Sequence, residues 1–212
     1  MTKEEFIIET SKLGIKLTDK QINQLEQFYN LLIEWNEKIN LTRITSKEEV
    51  YLKHFYDSLT ISKVINLKNS KTLCDVGTGA GFPGIVLKIV YPNLKITLVD
   101  ALQKRVNYLN TIIKELNLDG ITAIHARGED LKEKYDVVTA RAVANIEKLL
   151  KYTMHLVAPN GVFIAMKGNI SEELNDLTRK KISQKYNIVK IEQFFLPYEN
   201  SQRSLLVITN KI

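Results

Sequence analysis

Four of the nine glycines in this 212-residue chain fall in one stretch, Cys74-Asp75-Val76-Gly77-Thr78-Gly79-Ala80-Gly81-Phe82-Pro83-Gly84. Glycine adopts positive φ without a Cβ penalty and lets another group approach the backbone closely. The stretch continues the apolar run Thr72–Val76, which reads as a short strand. Pro83 then stands where a helix starts, a position that tolerates its missing N–H. A strand, a glycine turn and a helix N-terminus form the nucleotide-binding corner of a doubly wound parallel sheet.

The flanking pattern supplies such a sheet. Lys95–Asp100, Ile121–Ile124, Tyr135–Thr139 and Gly161–Met166 read as further strands. Helices are expected from Pro83 to Tyr91, over Leu102–Leu116 with Val106, Leu109 and Ile113 inward, and over Asn145–Val157 and Ser171–Tyr186. Ile188–Phe195 and Ser204–Thr209 follow with no helix between them, so they should pair antiparallel. The fold class is α/β: a Rossmann-like sheet, mostly parallel, with an antiparallel C-terminal strand pair.

Residues 1–70 read as helical instead. Thr18-Asp19-Lys20-Gln21 and Ser46-Lys47-Glu48-Glu49 both have capping-box form. Ile22, Leu25, Phe28, Tyr29 and Leu32 share one helical face, continued by Trp35 and Ile39. The second box should open a helix running to Leu59 and Ile61. Each helix buries only one face, so residues 1–70 are expected to form an extension packed on a core of 71–212.

Composition narrows the class. With 44% hydrophobic and 25% charged residues, the chain can bury a core of its own. Its apolar runs are too short for a bilayer. Met1–Glu9 mixes acids with lysine and does not resemble a secretory signal. The single cysteine, Cys74, allows no internal disulfide, and the three histidines lack metal-ligand spacing. A cytoplasmic monomer without a metal is expected. The net charge of +6 is uneven: residues 1–70 are neutral, and the excess lies beyond them. The 30 basic residues include only six arginines. An arginine kept against that lysine bias marks a position needing a planar fork of donors.

Two cofactors compete for the glycine corner. Gly79-x-Gly81-x-x-Gly84 with Asp100 matches a dinucleotide fingerprint. However, Gly77 opens the turn, and Asp75 stands two residues before it. A carboxylate there repels a pyrophosphate and suits the ammonium and sulfonium of S-adenosylmethionine, which electrostatics therefore favour. Asp100 could take ribose hydroxyls or cap the next helix. Glu129, in Arg127-Gly128-Glu129-Asp130, could meet an adenine or belong to a solvated loop.

Cys74–Gly84 resembles motif I of class I S-adenosylmethionine-dependent methyltransferases. Four further stretches resemble, more narrowly, the RsmG (GidB) family of 16S rRNA guanine-N7 methyltransferases. They are Trp35-Asn36-Glu37-Lys38-Ile39-Asn40-Leu41-Thr42, His54-Phe55-Tyr56-Asp57-Ser58-Leu59, Thr139-Ala140-Arg141-Ala142-Val143-Ala144 and Met166-Lys167-Gly168. The resemblance implies that Gly77, Phe82, Asp100, Gly128, Glu129 and Arg141 line a cofactor pocket. Asp75, Gly79, Gly81, Ala101 and Leu102 complete the candidate set. It also implies a basic cluster of Arg127, Arg141, Lys167 and Arg203 around the methyl-transfer site. Of these, Arg141, Lys167 and Arg203 are the catalytic candidates; Arg127, Lys167 and Arg203, with His54, are the RNA-binding candidates. The expected partner is 16S rRNA or a small-subunit precursor, the alternative a small molecule or protein.

N7 of guanine carries a free lone pair, so this chemistry needs alignment and no general base. Other acceptors fit less well. A 5-methylcytosine enzyme needs a cysteine nucleophile, whereas Cys74 lies inside a strand and reads as a small buried hydrophobe. The Asn/Asp-Pro-Pro-aromatic segment usual in exocyclic-amine enzymes is replaced by Thr139-Ala140-Arg141-Ala142. Trp35 reads as a core anchor, His155 as a structural helix residue, and Arg179-Lys180-Lys181 with Lys185 as a solvated helix face.

Overall fold

A computed structural model of the chain describes residues 1–141 and 144–211. Ala142 and Val143, within the Thr139–Ala144 stretch, lie outside the described residues. Among the described residues, seven strands form one sheet in the order β3-β2-β1-β4-β5-β7-β6. They are β1 (Thr72–Val76), β2 (Lys95–Asp100), β3 (Ile121–His125), β4 (Tyr135–Arg141), β5 (Val157–Lys167), β6 (Tyr186–Phe195) and β7 (Gln202–Asn210). The first five are parallel, and β7 runs antiparallel to both β5 and β6. After β3 the chain crosses over β1 to lay down β4, which makes the β1/β4 boundary the switch point where α/β sheets open a crevice. The glycine turn and Arg141 stand at the two carboxyl ends there. Lys167 ends β5 opposite Ser204 of β7, so Arg203 joins the same edge.

Among the described residues, the eight α-helical segments are α1 (Lys3–Lys12), α2 (Asp19–Ile39), α3 (Lys47–Val50), α4 (Asp57–Leu59), α5 (Gly84–Val90), α6 (Gln103–Glu115), α7 (Ile146–Thr153) and α8 (Asp176–Lys185). None of the described helices is long and apolar enough to cross a membrane. Thr18 and Gln21 complete the expected reciprocal box at α2. All seven residues of α5 are buried, because α2 covers the face that a surface helix would show to water. Its one charged residue, Lys88, turns back to donate to Pro92 O and Leu94 O at 2.7 and 2.8 Å. Gln21 of α2 donates Nε2 to Ile89 O and Val90 O, both at 3.0 Å, meeting carbonyls that the end of α5 leaves unpaired. Phe6, Phe28 and Phe55 from the first third share one apolar cluster with Phe82, Ile85 and Leu205.

Several boundaries differ from the expected ones. Ser46 caps α3, but Glu49 bonds the Ser46 hydroxyl and Lys53 instead of the Ser46 N–H, so the second box is not reciprocal. The helix expected to reach Ile61 widens to a π-type turn over Tyr51–Tyr56 and tightens to a 3-10 turn over Thr60–Lys63. Ser58 Oγ and Thr60 Oγ1 bond His54 O and Asp57 O at 2.5 and 2.6 Å, competing with helical donors for those carbonyls. Asn175 caps α8, so that helix begins at Asp176 and not at Ser171. Likewise Asn145 caps α7, which ends at Thr153; β5 begins at Val157.

Gly84 shows how closely α5 approaches the sheet. A Cβ there would lie 2.2 Å from Leu98 Cδ2 and 2.9 Å from Asp75 Oδ2. Gly84→Ala is expected to destabilise the protein by about 1–3 kcal/mol, read as a lower thermal midpoint.

Candidate active site

The glycine turn is held from below. Gly77, Gly79 and Gly81 have φ of 72°, 60° and 94°. A Cβ on Gly81 would lie 2.6 Å from Ile85 Cγ1, and one on Gly128 would lie 2.8 Å from Val76 Cγ1. At these positions, as at Gly84, the protein packs on itself. A Cβ on Gly79 would meet nothing nearer than Gly77 O at 4.0 Å, so space opens there. Asp100 Oδ2 accepts the Gly79 N–H at 3.0 Å and Oδ1 accepts the Leu102 N–H at 2.9 Å, with Arg105 Nη1 3.4 Å from Oδ2. Leu102, not Asp100, is the N-cap of α6. Asp100 pins the turn to β2; its Oδ2 takes two donors and its Oδ1 one, so Oδ1 keeps a lone pair.

Asp75 is fully buried beneath the turn. Its Oδ2 accepts from Thr78 Oγ1 at 2.7 Å and Gly84 N at 2.9 Å, while Oδ1 has no partner among the described residues. Burial pushes its carboxyl up to about 6. Asp75 therefore acts on the cleft through its field. Two carboxylates behind an open glycine fit a cationic ligand such as S-adenosylmethionine and oppose a pyrophosphate. Ala101 and Leu102 are exposed just beyond Asp100, and Glu129 is exposed in the turn after β3.

Beside the turn, at the ends of β4, β5 and β7, lies a cavity of about 350 Å³. Ile44, Met166 and Leu205 supply apolar wall; Lys53, His54, Asp57, Arg141, Lys167 and Arg203 supply polar wall. Asp57 organises it. Arg141 Nη1 lies 3.2 Å from Asp57 Oδ2, and Arg203 Nε lies 3.0 Å from Oδ1. Arg141 also donates to Lys53 O at 3.0 Å, and its Nη2 lies 3.2 Å from His54 Nδ1. Nδ1 also lies 3.2 Å from Lys53 O, so it faces both a donor and an acceptor. Nε2 is hydrogen-bonded to Thr42 Oγ1 at 3.0 Å. Thr42 is set by Asn36, whose Oδ1 accepts the Leu41 and Thr42 N–H groups at 2.7 and 2.8 Å. Asn40 turns the chain with φ of 51°. The Trp35–Thr42 and His54–Leu59 stretches thus form a relay that fixes Arg141.

Phe82 is 3% exposed. It stacks on His54 at 4.4 Å, and the Arg141 guanidinium lies 5.2 Å from its ring centroid. Trp35 meets Tyr108 edge-on at 5.8 Å and packs against the core. Lys167 pairs with Glu173 at 3.0 Å and donates to Ala144 O at 2.6 Å. Lys53 pairs with Glu49 and Glu199.

Among the basic candidates, Arg141, Lys167 and Arg203 meet at this cavity. Arg127 does not; it is exposed in the turn after β3, across the glycine corner. His155 sits in a 3-10 turn, its Nε2 3.1 Å from Leu131 O, and His125 Nε2 lies 3.1 Å from Ala101 O. Cys74 is buried, which pushes its thiol up and leaves it unreactive. Asp57, Lys53 and Ile44 were not singled out by sequence reasoning. The available signal was His54 and Asp57 three residues apart on one helical segment.

Burial, then the Arg141 charge, hold His54 down at about 3. Below its ordinary value near 6.5, the unfolded chain binds a proton that the folded chain refuses. Stability is therefore lost as pH falls, by about 1.4 kcal/mol per pH unit. Urea denaturation between about pH 6 and pH 4 should show a shallower loss for His54→Gln than for the unmodified protein. Equal slopes would mean that the imidazole is not held neutral.

The family model described as GidB, rRNA small subunit methyltransferase G, matches residues 21–205. A Bacillus pumilus protein named ribosomal RNA small subunit methyltransferase G is 44% identical over 100% of this chain and 91% of its own length. A Lactobacillus helveticus protein of the same name is 45% identical over 98% of this chain and 90% of its own. Solved structures resemble the fold at low identity. An S-adenosylmethionine-dependent methyltransferase from Aquifex aeolicus superposes with a TM-score of 0.58 at 15% identity, covering 83% of this chain and 97% of that one. A mutant of MtNAS in complex with S-adenosylmethionine gives 0.58 at 14% identity, covering 91% and 76%. With a family match over most of its length and full-length relatives well above 30% identity, the chain belongs to the GidB family of small-subunit rRNA methyltransferases.

Proposed function

We propose that this chain transfers the methyl group of S-adenosylmethionine to N7 of a guanine in 16S rRNA, as free RNA or within a small-subunit precursor, in the cytoplasm. The observation that carries this reading is the shared sheet edge. It places an open glycine turn backed by two carboxylates next to a cavity built around two arginines.

S-adenosylmethionine supplies, when bound, an electrophilic methyl group on a sulfonium. Gly79 leaves room for it, Asp100 holds the turn and offers the remaining lone pair of Oδ1 to a ribose hydroxyl, and Leu102 offers apolar surface to an adenine. The N7 lone pair displaces the sulfur, so the N7–C bond forms as the S–C bond breaks and no proton is lost. Positive charge passes from sulfur to the purine. A base is not needed, and His54 is not placed to act as one, because both of its ring nitrogens are engaged within the protein. The residues must align nucleophile, methyl and sulfur, at roughly 3–3.5 Å before attack. Lys167, Arg203 and the exposed Arg127 are assigned to O6 or phosphate, because a cation at N7 would oppose the transfer.

Labelled S-adenosylmethionine and small-subunit RNA or particles test the reaction. Label is expected at N7 of one guanine, lost with ribonuclease and weakened by salt. Activity insensitive to both would favour a small-molecule or protein acceptor. Arg127→Ala should weaken RNA binding and reduce the salt slope by about one while leaving S-adenosylhomocysteine binding unchanged by calorimetry.

A further inference from the structure

We propose that Asp57 reads the acceptor base, accepting hydrogen bonds from N1–H and the N2 amino group of a single guanine drawn into the cavity. The inference rests on the guanine-N7 reading above and adds the residue that selects the base. Nucleobase recognition at this site has an unusual constraint. The commonest arginine contact to guanine engages O6 and N7 together, which here would block the reacting atom. The base must be recognised by an edge that leaves N7 free, and the Watson–Crick edge does so.

Asp57 matches that edge. An ionised carboxylate has about four acceptor sites. Arg141 and Arg203 use one on each oxygen, so each oxygen keeps one. The carboxylate lines the cavity although its side chain is only 7% exposed. An arginine donor held against a carboxylate acceptor complements O6 beside N1–H. Adenine presents the reverse order and sets its N1 lone pair against the carboxylate. Lys167 and Lys53 are already paired with glutamates, so Asp57 is the cavity carboxylate opposed by an excess of arginine and free to receive a donor. Ile44 and Leu205 provide apolar wall for a base face. A base enters such a recess only after leaving its stack.

The contact also favours the reaction. As N7 gains its methyl group the purine becomes cationic and N1–H more acidic. A hydrogen bond from N1–H to the Asp57 carboxylate therefore strengthens toward the transition state, the differential that accelerates a step.

Small-subunit RNA carrying guanine, inosine or adenine at the methylated nucleotide tests this. Inosine keeps O6 and N1–H but lacks the N2 amino group. For the unmodified protein, kcat/KM should fall roughly ten- to hundredfold on inosine, and adenine should not react. Asp57→Asn should react slowly with guanine, and its guanine-to-inosine ratio should collapse toward one, because the Asn amide N–H opposes the N2 amino group. If Asp57 only positions the two arginines, the variant will be slow but keep the ratio, which overturns the proposal. Equal rates of the unmodified protein on guanine and inosine overturn it even if the variant fails to bind S-adenosylhomocysteine. Absence of N7-methylguanine with natural RNA is a separate result, and it removes the reaction itself.

Discussion

One buried carboxylate between two arginines links the helical first third of this protein to its sheet. Asp57 comes from α4, Arg141 from the end of β4 and Arg203 from the start of β7. Removing one partner of such a group leaves an uncompensated buried charge, a loss of about 3–5 kcal/mol. The cluster also carries more positive than negative charge, so it is completed only by something electron-rich. The carbonyl of Lys53, the imidazole of His54 and a guanine O6 are acceptors of that kind. On the proposed reading, the same donors serve both stability and acceptor binding.

The features legible in the sequence are local ones. The strand, turn and helix at 72–90 are specified by residues within reach of one another, and alternation with later helices dictates a parallel sheet. The antiparallel end follows from two strands without a connecting helix. The helix expected from Ser171 starts instead at Asp176, because the Asn175 side chain accepts the Thr178 N–H and caps it there. The π-type turn at Tyr51–Tyr56 was illegible because Ser58 and Thr60 look like ordinary helix residues until their hydroxyls find carbonyls.

Asp57 was hidden for a different reason. Its role comes from arginines 84 and 146 residues away, and no local pattern announces such a meeting. The arginine bias was a partial guide. At Arg141 the fork spans a carboxylate, a carbonyl and an imidazole, a task lysine cannot perform. At Arg127 no comparable use appears among the described residues. Asn36 and Thr42 stood inside a stretch tied to the family, yet their work is conformational: they set His54, which sets Arg141.

The complete burial of α5 bears on how this protein can be divided. Its sequence, Gly-Ile-Val-Leu-Lys-Ile-Val, has no water-facing side. A nucleotide-binding sheet is often treated as a unit to which other parts are added. Here a fragment starting at Lys71 would expose a greasy helix directly behind its own ligand corner and would lose Gln21, which satisfies the last carbonyls of that helix. Grafting or trimming this enzyme therefore has to carry α2 along, or repaint α5 with polar residues first.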